Sequence, residues 1–188
     1  MIGAVSRRVL ITGGNAGLGL ALAKKLARHH KLLLSGRKPE SEVAGILPRD
    51  AGYILADQSS PQQSAEALVR GVHDFGWDSL DNAVLNAGIG IVPDDGLDST
   101  EAIRRTLDVN LLAAMLQAKA LFPLLEKSRG TLTFIGSVAH SGSTTIPAYA
   151  ASKAGLHGLA RALRSEWKGK VPVQVLHPGP AKTEMHDK

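Results

Sequence analysis

The chain of 188 residues fits a single domain, residues 1–188, and is long enough to bury a real core. It contains no cysteine, which excludes disulfides, cysteine-bound zinc and thiol catalysis. Its net charge of +5 comes from scattered pairs such as Arg7-Arg8, Lys24-Lys25, Arg37-Lys38 and Arg104-Arg105. With no long basic block and no aromatic interleaving, nucleic acid is not an expected partner, and attraction of an anionic cofactor is a sufficient use of the charge.

Short apolar runs alternate with longer amphipathic ones. Residues 8–12, 31–35, 52–55, 82–86, 131–136 and 171–176 read as strands, apolar on consecutive positions as buried parallel strands are. Residues 18–29, 39–47, 61–75, 100–127 and 147–167 read as helices. That alternation implies an α/β domain with a doubly wound parallel sheet, a Rossmann fold of about six strands in the order 3-2-1-4-5-6. Ligands of such folds bind at the carboxyl edge of the sheet. No apolar run nears the ~18 residues of a membrane span, and the first residues lack a signal-peptide layout. A soluble cytoplasmic protein without a membrane partner is the expectation.

The segment Thr12-Gly13-Gly14-Asn15-Ala16-Gly17-Leu18-Gly19 follows the first strand and opens the first helix. Glycines there let the backbone approach a pyrophosphate closely, and a helix N-terminus offers free N–H groups and positive dipole to it. The second strand ends in Ser35-Gly36-Arg37-Lys38, without the acidic residue that bonds ribose hydroxyls in NAD proteins. The Arg37 guanidinium suits a 2′-phosphate, so NADP(H) is the preferred cofactor and NAD(H) the alternative. Further on, Tyr149-Ala150-Ala151-Ser152-Lys153 puts a phenol and an ammonium on one helix face, about one turn apart. A free phenol loses its proton only near pH ~10. A neighbouring ammonium favours the phenolate, which makes a usable general acid or base.

TGGNAGLG resembles the glycine fingerprint of the short-chain dehydrogenases/reductases, in their compact single-domain branch, and further segments match in order along nearly the whole chain. The resemblance implies a nicotinamide-dependent oxidoreductase that moves hydride between the cofactor and a carbonyl or alcohol, with Tyr149 as general acid/base. Its tetrad falls on Asn110, which follows Val109, and on Ser137, Tyr149 and Lys153. In that pattern Ser137 bonds the substrate oxygen, Lys153 also binds the nicotinamide ribose, and Asn110 holds a relay water. Tyr149 and Lys153 thus belong to the cofactor site as well. Gly13, Asn15, Ala16, Gly17, Leu18 and Gly19 match the phosphate loop. Asp57 and Gln58 match the adenine-contacting position, although Asp57 reads equally as a cap for the following helix. Asn86, Ala87 and Gly88 match the segment beside the cofactor, where Asn86 also braces the sheet. Pro178, Gly179 and Thr183 match the turn under the nicotinamide.

Two departures stand out. Tyr149 comes twelve positions after Ser137, one fewer than the commoner family spacing. The chain also ends at Lys188, before the seventh strand and substrate-capping helices that family members carry, so the sequence is either cut or an unusually short member. A homodimer through helices 100–127 and 147–167 is implied. The loops at 91–100 and 140–147 are expected to line the substrate pocket. His140 and His177 invite a metal or base reading, but neither has a partner at ligand spacing, and no metal is expected. A module that binds nicotinamide cofactor without turnover is the competing reading.

Overall fold

A computed structural model of the chain describes residues 6–91, 99–143 and 146–179. Six parallel strands form one sheet in the order β3-β2-β1-β4-β5-β6: β1 (Arg8–Thr12), β2 (Lys31–Gly36), β3 (Gly52–Leu55), β4 (Asn82–Leu85), β5 (Thr131–Ile135) and β6 (Val173–Leu176). The order and the helical crossovers are those expected from the alternation of apolar runs. The register pairs Arg8 with Lys31 and Thr12 with Ser35 along β1 and β2, and Val9 with Asn82 along β1 and β4.

The consecutive apolar positions in the strands arise because both sheet faces are buried. Leu10, Leu33, Ala83, Leu85, Leu132 and Phe134 point into a large core with α3 (Pro61–Asp74), α5 (Ala113–Ser128) and α6 (Pro147–Glu166). Val9, Ile11, Leu32, Leu34 and Val84 alternate with them and enter a second core under α1 (Gly17–Leu26). The strand between Pro172 and Leu176 starts only at Val173, because Pro172 has no N–H to donate. Its carbonyl still accepts from Leu132.

Two helices differ from the sequence expectation. Residues 39–47 form a single turn of α2 (Glu40–Val43) and a 3-10 turn at Ala44–Ile46. Only Val43 of this segment is buried and Gly45 sits within it, so little packing holds a longer helix. The long helix is in three parts: α4 (Thr100–Leu107), a π-helical turn at Asp108–Leu112, and α5. Periodicity alone does not reveal that wider turn. By length and composition the stretch Thr100–Ser128 is long and apolar enough to cross a membrane, which corrects the expectation that no apolar run nears a membrane span. In the fold, however, its Ala114, Ala118, Leu121, Leu124 and Leu125 pack into the larger core.

Candidate active site

The turn after β1 is built by close packing. Gly13 has φ +63°, and a Cβ on Gly19 would lie 2.2 Å from the Gly13 carbonyl oxygen. Only glycine at both places lets the start of α1 nest against the loop. No side chain caps α1, and its first turn carries no acidic residue. Ala16, Gly17 and Leu18 are exposed there, so the helix presents unpaired N–H groups and its positive end outward. These donors and this cradle fit a dinucleotide pyrophosphate.

The loop is braced from β4. Asn86 donates from Nδ2 to the carbonyls of Thr12 at 3.0 Å and Gly13 at 3.3 Å. The Thr12 hydroxyl in turn accepts from the backbone N–H groups of Asn86 and Ala87 at 3.0 and 3.1 Å. Asn86 therefore locks two strand ends together, as its dual reading anticipated. Thr12, which sequence reasoning passed over, is the other half of that lock.

Arg37 lies just beyond β2, exposed and without an ion-pair partner among the described residues. Beside it, a Cβ on Gly36 would meet Asn15 Oδ1 at 2.3 Å and Tyr53 Oη at 2.5 Å, so the glycine lets Asn15 lie across the strand end. Tyr53 donates to the Lys38 carbonyl at 2.9 Å and fixes the chain after Arg37. Asp57 is exposed and accepts from Ser59 N–H at 2.9 Å, forming a turn ahead of α3 rather than capping it. Gln58 is buried, and its Nε2 has no hydrogen-bond partner among the described residues.

Asn110, Tyr149 and Lys153 converge at the same edge of the sheet. Asn110 sits in the π-helical turn and is 1% exposed. Its Oδ1 accepts from Ile89 N–H at 2.8 Å, and its Nδ2 donates to the Ile89 carbonyl at 2.9 Å and Ser152 Oγ at 3.1 Å. The carboxamide is thus fully engaged in joining the segment after β4 to α6. Next to Ser152, Lys153 is 4% exposed. Its Nζ donates to the Ile135 carbonyl at 3.0 Å and lies 5.5 Å from the centre of the Tyr149 ring. Burial pushes its pKa down from 10.5 to about 8. Gly88 is the floor of this arrangement: a Cβ there would be 3.1 Å from Asn110 Oδ1 and 3.4 Å from Lys153 Nζ.

Ser137 begins the 3-10 turn Val138–Ser141, where its hydroxyl accepts from Ala139 N–H at 3.1 Å. The segment after β6 runs alongside, and the Pro178 carbonyl accepts from Val138 N–H at 3.1 Å. Gly179 closes the described chain, while Pro180 and Thr183 lie outside the described residues. Sequence spacing also left the histidines unassigned, yet the fold gathers His140, His157 and His177 into one cluster. They come from three separate elements, so no local motif announces them.

A parallel sheet with a glycine loop, an open helix N-terminus and a buried lysine beside a tyrosine defines a nicotinamide-dinucleotide-binding domain of the doubly wound class. The family model for short chain dehydrogenases matches residues 7–188. The chain is 31% identical to the 3-oxoacyl-[acyl-carrier-protein] reductase MabA of Mycobacterium tuberculosis, over 96% of this chain and 72% of that protein. The RhlG/NADP active-site complex of Pseudomonas aeruginosa superimposes with a TM-score of 0.87 at 27% identity, covering 100% of this chain and 78% of that one. An NADH-dependent reductase, A1-R′, complexed with NAD gives a TM-score of 0.79 at 26% identity, covering 94% and 80%. The chain belongs to the short-chain dehydrogenase family and is an oxidoreductase of that family.

Proposed function

We propose that the protein is an NADP(H)-dependent carbonyl reductase or alcohol dehydrogenase in which Tyr149 moves the proton. The observation that carries this reading is the Lys153 ammonium, buried over the Tyr149 ring and anchored to the Ile135 carbonyl. When bound, the nicotinamide supplies or accepts the hydride. Tyr149 donates its phenolic proton to the carbonyl oxygen in reduction and removes one from the alcohol in oxidation. The ammonium of Lys153 stabilises the phenolate left behind. The Ser137 hydroxyl bonds the same substrate oxygen and steadies it. Asn110, committed to Ile89 and Ser152, is a positioning residue that keeps the Lys153 turn of α6 against β4.

The preference for NADP(H) rests on Arg37, whose exposed guanidinium, without an ion-pair partner among the described residues, follows a strand end without a carboxylate. The loop 13–19 and the 86–88 segment take the pyrophosphate and flank the cofactor, while Asp57 and Gln58 face the adenine. Losing a charge-assisted bond to the 2′-phosphate costs about 1.5–3 kcal/mol, so Arg37→Asp is expected to weaken NADPH binding by roughly 10- to 100-fold. NADH binding should change little. Titration of nicotinamide fluorescence with both cofactors measures this, and equal loss for both would refute the assignment. A carbonyl panel then reads turnover, with Tyr149→Phe expected to abolish it. Cofactor binding without reduction of any carbonyl would favour the non-catalytic module.

A homodimer through α4, α5 and α6 belongs to the same proposal. Ile103, Leu112 and Met115 are each about two-fifths exposed on the α4–α5 side, apolar surface that a second copy would cover. Sedimentation at micromolar concentration should give a dimer; a monomer overturns that part.

A further inference from the structure

His140 lies in the turn after β5, His157 on α6, and His177 just after β6. One ring nitrogen from each lies within 4.8 Å of the other two, and all three side chains are half-buried. The rings are close-packed, with His140 and His177 centroids 3.9 Å apart.

The hydrogen bonds fix which nitrogens are available. His140 Nδ1 and His177 Nδ1 approach the same Ser137 carbonyl oxygen, at 2.8 and 3.0 Å. A carbonyl only accepts, so both Nδ1 atoms donate N–H, and the lone pairs of the neutral rings reside on Nε2. A metal-ligating histidine has this same arrangement, its second ring N–H pinned to a backbone carbonyl so that tautomer and orientation are set. His157 Nδ1 then faces His177 Nε2 at 3.2 Å. That gap holds either one proton or one cation shared by both rings. Two nitrogens bound tetrahedrally at ~2.0–2.1 Å lie roughly 3.3 Å apart, so the gap already matches a metal. The His140 ring is stacked on His177 with 29° between their planes, so binding requires it to turn about its Nδ1–carbonyl bond and bring Nε2 in from the 4.8 Å spread. Room for the His177 ring is built in: a Cβ on Gly136 would come within 2.6 Å of its Nδ1.

We propose that His140, His157 and His177 bind a divalent transition-metal ion of the zinc class, which clamps the Ser137 turn to α6 and to the segment leaving β6. Three imidazoles, with no carboxylate in the cluster among the described residues, select zinc, cobalt, nickel or copper over magnesium or calcium. A three-histidine set leaves a fourth position for water. The ion polarises the His140 and His177 rings, strengthening both N–H bonds to the Ser137 carbonyl and stiffening the turn that presents the Ser137 hydroxyl. This site stands independently of which nicotinamide cofactor the protein uses.

The test is equilibrium dialysis of the tag-free full chain against zinc chloride, with metal counted per chain, and cobalt chloride titration followed by visible absorption. His157→Ala and His157→Gln remove one ligand, and His29→Ala is the control for adventitious histidine binding. Wild type and His29→Ala should take one equivalent and show the intense ligand-field bands of four-coordinate cobalt. Both His157 variants should bind at least about tenfold more weakly while retaining NADPH binding as evidence of folding. Zinc should also raise the unfolding midpoint of wild type and not of the variants. Absence of stoichiometric uptake by wild type, or equal uptake by the His157 variants, overturns the proposal.

Discussion

Lys153 is buried as a charge, and this has a measurable effect on stability. Its pKa falls from 10.5 to about 8 because burial removes water from the ammonium. Between those values the unfolded chain holds a proton that the folded chain has released. Stability therefore rises with pH across that window. Below pH 8 the buried ammonium withholds about 3 kcal/mol. Integrated between about pH 7 and about pH 9, the gain is about 1 kcal/mol. Tyr53, whose pKa is raised by burial and then by Glu40, keeps its proton throughout this range and contributes nothing to the slope. Urea unfolding of wild type and Lys153→Met at both pH values isolates the lysine, because other groups cancel in the difference. The free-energy difference between the two proteins should shift by about 1 kcal/mol in favour of wild type on going to the higher pH. A difference that stays constant would mean that the ammonium reaches water in the folded protein. The dry environment assigned to it beside Tyr149 would then be wrong.

Two further substitutions probe the scaffold. Gly19→Ala would ordinarily stabilise a helix, but here its Cβ meets a backbone oxygen that cannot yield. Urea unfolding should show a loss of about 1–3 kcal/mol, and NADPH titration a weakened affinity; a more stable variant would disprove the close nesting of α1. Arg129 ends α5 with φ +53°, a left-handed conformation that costs an L-residue about 1–2 kcal/mol. Arg129→Gly should raise stability by about 0.5–1 kcal/mol after the entropy of the unfolded glycine is set against that relief, and a drop in the urea midpoint would show the arginine side chain to be needed.

The strands, their order and the glycine loop were legible because each depends on local pattern: apolar runs, turn residues and position in a βαβ unit. The Tyr149–Lys153 pair was legible because four residues on a helix is a fixed geometry. The π-helical turn was not, since an extra residue in a helical run leaves its composition unchanged. The role of Thr12 was hidden because its hydroxyl bonds residues far along the chain, at Asn86 and Ala87. The histidine cluster was hidden for the same reason, as ligand spacing along a chain detects only sites built from one element. Residues 39–47 were read as one helix from their place in the alternation of short apolar and longer amphipathic runs; what they lack is a buried face.

The π-helical turn sets chain length against function. An α-helix with one residue added here holds Asn110 against Ile89 and Ser152. Deleting a single residue from Asp108–Leu112 would restore an unbroken α-helix with better internal hydrogen bonding. Because the wide turn absorbs one extra residue, the flanking helices would keep their buried faces, whereas a deletion elsewhere along the rod turns one side by about 100° relative to the other. The shorter chain has the easier helix to form, and it is the one that loses the tie between β4 and the Lys153 turn. Single-residue deletions along this rod should thus divide sharply: tolerable for the helix at this turn, yet damaging there to catalysis, a pattern that a deletion scan reads without any knowledge of the substrate.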